Sequence, residues 1–189
     1  MLDDGKPSQR LAAYHGAKAH GGAALTIIEA ARVHPTGDSG RPAIRAYDPD
    51  CVPGYKKLAS ECQPHGCLVF GQLTHPGREM ALASDGSRPV AYAPAAIPNE
   101  RFHVMPRAMP ISLINEIIKG FELSASHLRE AGLDGIELVA SHGYLLGQFL
   151  NPKINLRTDK YGGNFEGRLR FLKDAIEATR RGAGAEMVL

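Results

Sequence analysis

The sequence has no block of like charge: 22 Lys and Arg and 20 Asp and Glu are interspersed, for a net charge of +2. That excludes the electrostatic footprint of a nucleic-acid or anionic-membrane binder, and no nucleic-acid partner is expected. Cysteine is scarce. Cys51, Cys62 and Cys67 are odd in number and form no C-x-x-C pair, which excludes a disulfide framework or a zinc ribbon and fits buried, reduced thiols. Long apolar runs are missing too, since no window approaches the ~18 residues of a membrane span. The N-terminal MLDDGKPSQR carries charges and a proline where a signal peptide needs an apolar core. No membrane partner and a cytoplasmic location are expected.

What is present is enough for one core. The chain has 189 residues, of which 43% are hydrophobic and 22% charged, the balance of a soluble globular domain. Ser8 can cap a helix over about 8–20 that Gly21-Gly22 ends, and Ala23 to Ile28 is a short apolar run of buried-strand type. A second helix fits Gly54 to Cys62, followed after Pro64-His65-Gly66 by a second run, Cys67 to Leu73. Residues 75–110 are rich in Pro, Gly, Ser and Ala without a sustained period, and read as a long loop excursion. From Ser112 to Ala131, Ile114, Ile117, Ile118, Phe121, Ala125 and Leu128 recur at helical steps until Gly132. A third strand is read over Gly135 to Ala140. A fourth helix begins near Asn164, with Leu169, Leu172, Ile176 and Thr179 on its inner side, and Met187-Val188-Leu189 opens another strand.

Near-continuous apolar strands alternating with helices define an α/β chain of parallel β/α units covered on both faces. A doubly wound sheet and a (β/α)8 barrel both satisfy that pattern. A barrel takes ~250 residues, so on the second reading residues 1–189 are a single partial barrel domain.

Each complete strand leads into a loop bearing a histidine: His34, His75 and His142. In a parallel sheet the three loops emerge on one side, so a metal site, as in a metallohydrolase, is the sharpest reading; loop packing is the plainer one for His34 and His75, because no H-x-H or H-E-x-x-H spacing is present. Gln72 is polar at the end of an apolar strand, where its amide can offer a donor and an acceptor to a ligand edge or bond a neighbouring backbone. His142 and Tyr144 flank Gly143 just past a buried strand. Tyr can deliver a proton and His can grip an oxyanion; the alternative is a packing Tyr and a loop-capping His. Gly162-Gly163 matches neither G-x-G-x-x-G nor G-x-x-x-x-G-K and reads as a tight turn. Arg157, Asp159 and Arg168 around it either hold that loop or touch a ligand.

The run His-Gly-Tyr-Leu-Leu-Gly-Gln-Phe-Leu-Asn-Pro from His142, with Arg-Thr-Asp-Lys-Tyr-Gly-Gly-Asn-Phe-Glu-Gly-Arg-Leu-Arg-Phe ending at Phe171, resembles the old yellow enzyme family of FMN-dependent oxidoreductases. That family includes 2,4-dienoyl-CoA reductases and trimethylamine dehydrogenase. The likeness extends to Ile27-Ile28-Glu29-Ala30, to His34-Pro35-Thr36-Gly37, and to Gly71-Gln72-Leu73 with His75-Pro76-Gly77-Arg78. It implies part of a (β/α)8 TIM barrel, from about its second strand to the start of its fifth, with FMN at the C-terminal mouth. It further implies that Ala30 contacts the flavin and Gln72 bonds its pyrimidine edge. Tyr144 matches the tyrosine that protonates the substrate carbon, and His142 the second of a pair gripping the substrate's electron-withdrawing group. NAD(P)H would reduce the flavin, which then passes hydride to the activated C=C of a small-molecule substrate.

Two departures accompany the resemblance. The first member of the gripping pair falls at Val139, which neither donates nor accepts a hydrogen bond, and this leans towards the dienoyl-CoA reductase or amine-demethylating branches. The chain also lacks the family's first barrel strand and everything past the start of the fifth. The family chemistry is therefore expected of a longer parent, with weak or no FMN binding by this chain alone. The open strand edges make a homo-oligomer, or a non-catalytic remnant, the alternative expectation.

Overall fold

The computed structural model describes residues 1–83 and 85–189; Ser84, inside the expected 75–110 excursion, lies outside the described residues. A two-stranded antiparallel ribbon, β1 (Leu2–Asp3) and β2 (Lys6–Pro7), opens the chain and has no counterpart in the sequence reading. Helix α1 (Gln9–His20) starts where Ser8 caps it, its hydroxyl accepting from Leu11 N at 3.2 Å. Strand β3 (Leu25–Arg32) runs four residues past the expected end at Ile28. The reason is a register irregularity between Ile28 and Ala31: a bulge lets Glu29 and Ala30 stay extended and carries the strand on to Arg32. Strand β4 (Ile44–Arg45) pairs only with that extension.

Helix α2 (Val52–Cys62) and strand β5 (Leu68–Thr74) follow close to their expected bounds. The excursion after β5 holds one small pairing, β6 (Tyr92–Ala93) with β7 (Arg107–Ala108). Helix α3 (Ile111–Glu130) buries Ile114, Ile117, Phe121, Ala125 and Leu128, as its 3.6-residue period requires. Strand β8 (Gly135–Leu138) ends before Ala140, although Val139 N still donates to Leu73 O at 3.0 Å. The short helix α4 (Leu145–Leu150) was not expected.

Helix α5 (Phe165–Ala183) begins at Asn164, whose side chain accepts from Gly167 N at 2.9 Å. Its buried stripe is Phe171, Ala175, Ala178 and Thr179; of the expected inner residues Thr179 is buried and Leu172 packs half-buried against the core, whereas Leu169 is half-buried and Ile176 is 42% exposed. Small residues decide this. A Cβ on Gly182 would collide with Glu122 O, so α5 packs against α3 through Gly and Ala, and Ile176 turns outward.

The main sheet has the order β4-β3-β5-β8, all parallel. Val188 adds a parallel bridge to Gly135, so the last residues do open another strand. Sides alternate along β3 up to its bulge and along β5 as far as Leu73. Thr26, Ile28, Val69, Gly71, Leu73 and Ile136 face the helices, whereas Leu25 (45% exposed), Ile27 (39%) and Leu68 (48%) face the other way. The expectation of helix cover on both faces is thus corrected: one face is covered, and the other is open.

Candidate functional site

Parallel pairing brings the C-terminal ends of β3, β5 and β8 to one level. Arg32 pairs with Thr74 and Leu73 with Leu138, which places the loops bearing His34, His75 and His142 on one rim. One layer below, Ala30 and Gln72 occupy the open face. Ala30 lines a cleft of about 630 Å³ together with Glu29 and Arg32. Gln72 Nε2 donates to Glu137 Oε2 at 2.8 Å on the neighbouring strand. That uses one amide hydrogen; the carbonyl oxygen and the second hydrogen have no partner among the described residues.

His142 and Tyr144 are positioned by a tight, strained turn. His142 has φ 57° and Gly143 φ 70°, and a non-glycine residue in the left-handed region persists only where surroundings enforce it. Here the enforcing group is Gln148, fully buried on α4. Its amide nitrogen donates to Gly143 O at 2.6 Å and Pro76 O at 3.0 Å, and its oxygen accepts from Arg78 N at 3.2 Å. Leu145 N adds a bond to His75 O at 3.0 Å. The His142 ring stays exposed, with Nδ1 2.7 Å from Ser141 Oγ, and its centroid is 6.1 Å from that of Tyr144. Tyr144 is the N-cap residue of α4, but its side chain makes no capping bond, so its hydroxyl is not spent on the fold. Gln148 escaped the sequence reading because it sits in an apolar stretch and two of its partners, Pro76 O and Arg78 N, lie 72 and 70 positions away.

His34 and His75 form a directed chain instead. Gly77 N donates to His75 Nδ1 at 3.0 Å, which puts the ring hydrogen on Nε2, facing Thr36 Oγ1 at 3.1 Å. The Thr36 hydroxyl then donates to His34 Nδ1 at 2.8 Å, and His34 Nε2 points to Glu116 at 3.8 Å. His142 is not part of this chain, and among the described residues no three His, Cys, Asp or Glu are grouped to hold a metal. The convergence of three histidines on one ion does not occur.

Burial, reinforced by His34 and Arg32 nearby, pushes the His75 pKa down to about 3, and burial lowers His34 as well. The unfolded chain has an ordinary histidine near ~6.5. Between those two values the unfolded state binds a proton that the native state refuses, so stability falls as pH drops, by about 1.4 kcal/mol per pH unit for His75. Unfolding free energies from urea titrations at pH 7 and pH 5 should therefore differ by about 2 kcal/mol from this group. His75→Asn should flatten that slope; an unchanged slope counts against a neutral buried His75.

Arg157, Asp159 and Arg168 make loop-holding contacts. Arg157 Nη1 donates to Pro94 O at 3.0 Å and Met109 O at 2.6 Å, and its guanidinium pairs with Asp159. It pins the excursion to the loop before α5. Arg168 bonds Leu150 O at 3.2 Å and Gly163 O at 2.7 Å. Gly162 makes a tight turn, since a Cβ there would meet Arg157 O at 2.2 Å. Cys51, Cys62 and Cys67 are buried free thiols, each pushed up in pKa by burial.

A partial parallel β/α barrel with a His-x-Tyr turn at its mouth defines a class. The chain belongs to the NADH:flavin oxidoreductase / NADH oxidase family, whose pattern matches residues 1–189, and it is part of an old yellow enzyme TIM barrel. It is 38% identical over 186 residues to an NADH oxidase of Thermoanaerobacter brockii, covering 97% of this chain and 28% of that protein. To an NADPH dehydrogenase of Bacillus velezensis it is 38% identical over 177 residues, covering 94% and 51%. Among solved structures, morphinone reductase in complex with tetrahydroNAD superposes with a TM-score of 0.86 at 28% identity, over 99% of this chain and 55% of that one. A 2-naphthoyl-CoA reductase complex gives 0.89 at 29% identity, over 100% and 31%. The chain thus spans between 28% and 51% of the length of these curated relatives.

Proposed function

We propose that this chain is the portion of a cytoplasmic FMN-dependent oxidoreductase that holds one edge of the flavin and protonates the substrate. The observation that carries this is the two-layer mouth: Ala30 and Gln72 on the open face, and His142 and Tyr144 on the rim above, 6.1 Å apart between rings. The residues fit a flavin. Gln72 keeps an acceptor and a donor in the same amide plane for a pyrimidine edge, and Ala30 presents no side chain that would block a planar ring. Bound there, FMN would supply hydride chemistry between NAD(P)H and an activated C=C, with Gln72 and Ala30 as the residues that would hold its edge.

The remaining steps belong to the chain. His142, exposed and with Nδ1 set against Ser141, presents its Nε2 edge to the substrate's electron-withdrawing oxygen. Tyr144 delivers its phenolic proton to the carbon that has become electron-rich. Gln148 holds the turn that carries both. The substrate is a small activated alkene such as an enone or a dienoyl thioester; the names of the relatives, reductases and NAD(P)H oxidoreductases, support that class.

The flavin-edge role is tested by FMN titration of the protein that carries this chain. Gln72→Leu should weaken FMN binding about 10-fold, the effect of losing hydrogen bonds of ~1.4 kcal/mol in total. An unchanged dissociation constant would remove Gln72 from the cofactor site.

A further inference from the structure

Two buried polar atoms at the mouth have no hydrogen-bond partner among the described residues: Arg32 Nε and Thr74 Oγ1. They belong to adjacent strands and are Cα partners in the β3–β5 register. Ala31 and Leu73, the residues just before them, are fully buried against the helices, so alternation turns Arg32 and Thr74 to the face that carries Gln72. They form the next layer towards the rim. Val139 is beside them, one step beyond the Leu73–Leu138 pair.

Arg32 is short of acceptors. Its Nη2 reaches Ser39 Oγ only at 3.5 Å. Asp38, the acid nearest in sequence on this loop, already accepts from the Tyr47 hydroxyl at 2.7 Å and pairs with Arg45 at 3.3 Å. Burial is the main influence on the guanidinium, with Tyr144 and Asp38 within electrostatic range of it, and the Leu145 N to His75 O bond brings the Tyr144 turn against the end of β5, next to Thr74. An arginine keeps its charge even where burial lowers its pKa, and a buried N–H without a partner bears its full desolvation cost. A guanidinium whose Nε–H is unpaired, next to an unpaired hydroxyl, is a donor set that suits a carboxylate, with one oxygen for the guanidinium edge and the other for the threonine.

We propose that Arg32 and Thr74 form a carboxylate-binding subsite on the rim that carries Tyr144, so that the activated alkene taken by this site also carries a carboxylate. The subsite supplies, from β3 and β5, a grip that Val139 on β8 cannot. The redox role of its ligand rests on the flavin reading above, but the carboxylate contact does not.

The test separates the two. In 15N–1H spectra of the protein that carries this chain, with and without FMN, the Arg32 Nε–H resonance is identified by its loss in Arg32→Lys. Monomethyl succinate, a saturated monoanion, should shift it, and dimethyl succinate should not. Arg32→Gln should raise the monomethyl succinate dissociation constant at least 10-fold and Thr74→Val by less. A resonance that the monoanion leaves unmoved, or affinity unchanged in Arg32→Gln, overturns the proposal. In turnover, the KM increase of Arg32→Gln on monomethyl fumarate should exceed that on dimethyl fumarate at least 10-fold; equal increases would show a merely structural arginine. A protein that binds no flavin but whose Arg32 responds to the monoanion fails the redox reading and upholds this one.

Discussion

Tyr144→Phe should lower turnover of an activated alkene by about 100- to 10,000-fold, the usual worth of a positioned general acid. The size of the effect follows from how the residue is held. Its backbone is fixed as the α4 N-cap residue and by the Leu145 N to His75 O bond, none of which involves the phenol. The side chain makes no capping bond, so phenylalanine keeps the turn and removes only the proton. Thermal stability should accordingly stay within ~1 kcal/mol of the parent. A drop in turnover matched by a loss of fold would point to a packing tyrosine instead. His142→Ala differs in kind, because His142 occupies the left-handed region and its loss removes a grip rather than a proton.

Phe171→Ala should destabilise the protein by about 3–5 kcal/mol, the range for truncating a fully buried aromatic. Phe171 on α5 is fully buried and lies 4.3 Å, between ring centroids, from Phe149 on α4, with Tyr161 set edge-on to both. Such aromatic pairs add ~0.5–1.5 kcal/mol to their area burial. The trio ties α4, the pre-α5 loop and α5 into one unit, and α4 carries at its start the Tyr144 turn. Urea denaturation gives the magnitude. Phe171→Leu, which fills most of the volume, should lose less than half as much; equal losses would mean that the aromatic contacts, not the volume, dominate.

The parts of this molecule legible in sequence are those governed by local rules. Ser8 and Asn164 announce their helices because a capping hydroxyl or amide acts within three residues. The α3 stripe from Ile114 to Leu128 is legible because one period holds over about four turns. His142 and Tyr144 stand out as proton-handling side chains at a strand end, and the family resemblance around them is the basis of the roles proposed for them. What escaped depends on partners distant in the chain. The bulge that carries β3 on to Arg32 exists because β5 runs alongside it. The true face of α5 follows from Gly182 meeting the Glu122 carbonyl. Gln148 reads as one polar residue in an apolar helix until the His75–Gly77 loop closes over it. The unpaired atoms of Arg32 and Thr74 appear only when two strands are set side by side.

The proposed flavin site with Tyr144 as its proton donor is put to the test by following flavin absorbance in anaerobic rapid mixing of the FMN-loaded parent and its Tyr144→Phe variant, first with NAD(P)H and then with an activated alkene. Both proteins should be bleached by NAD(P)H at rates within about twofold of each other, while recovery of absorbance with alkene should be about 100-fold or more slower in the variant. Equal recovery in both proteins, or no bleaching by NAD(P)H in the parent, would contradict that proposal.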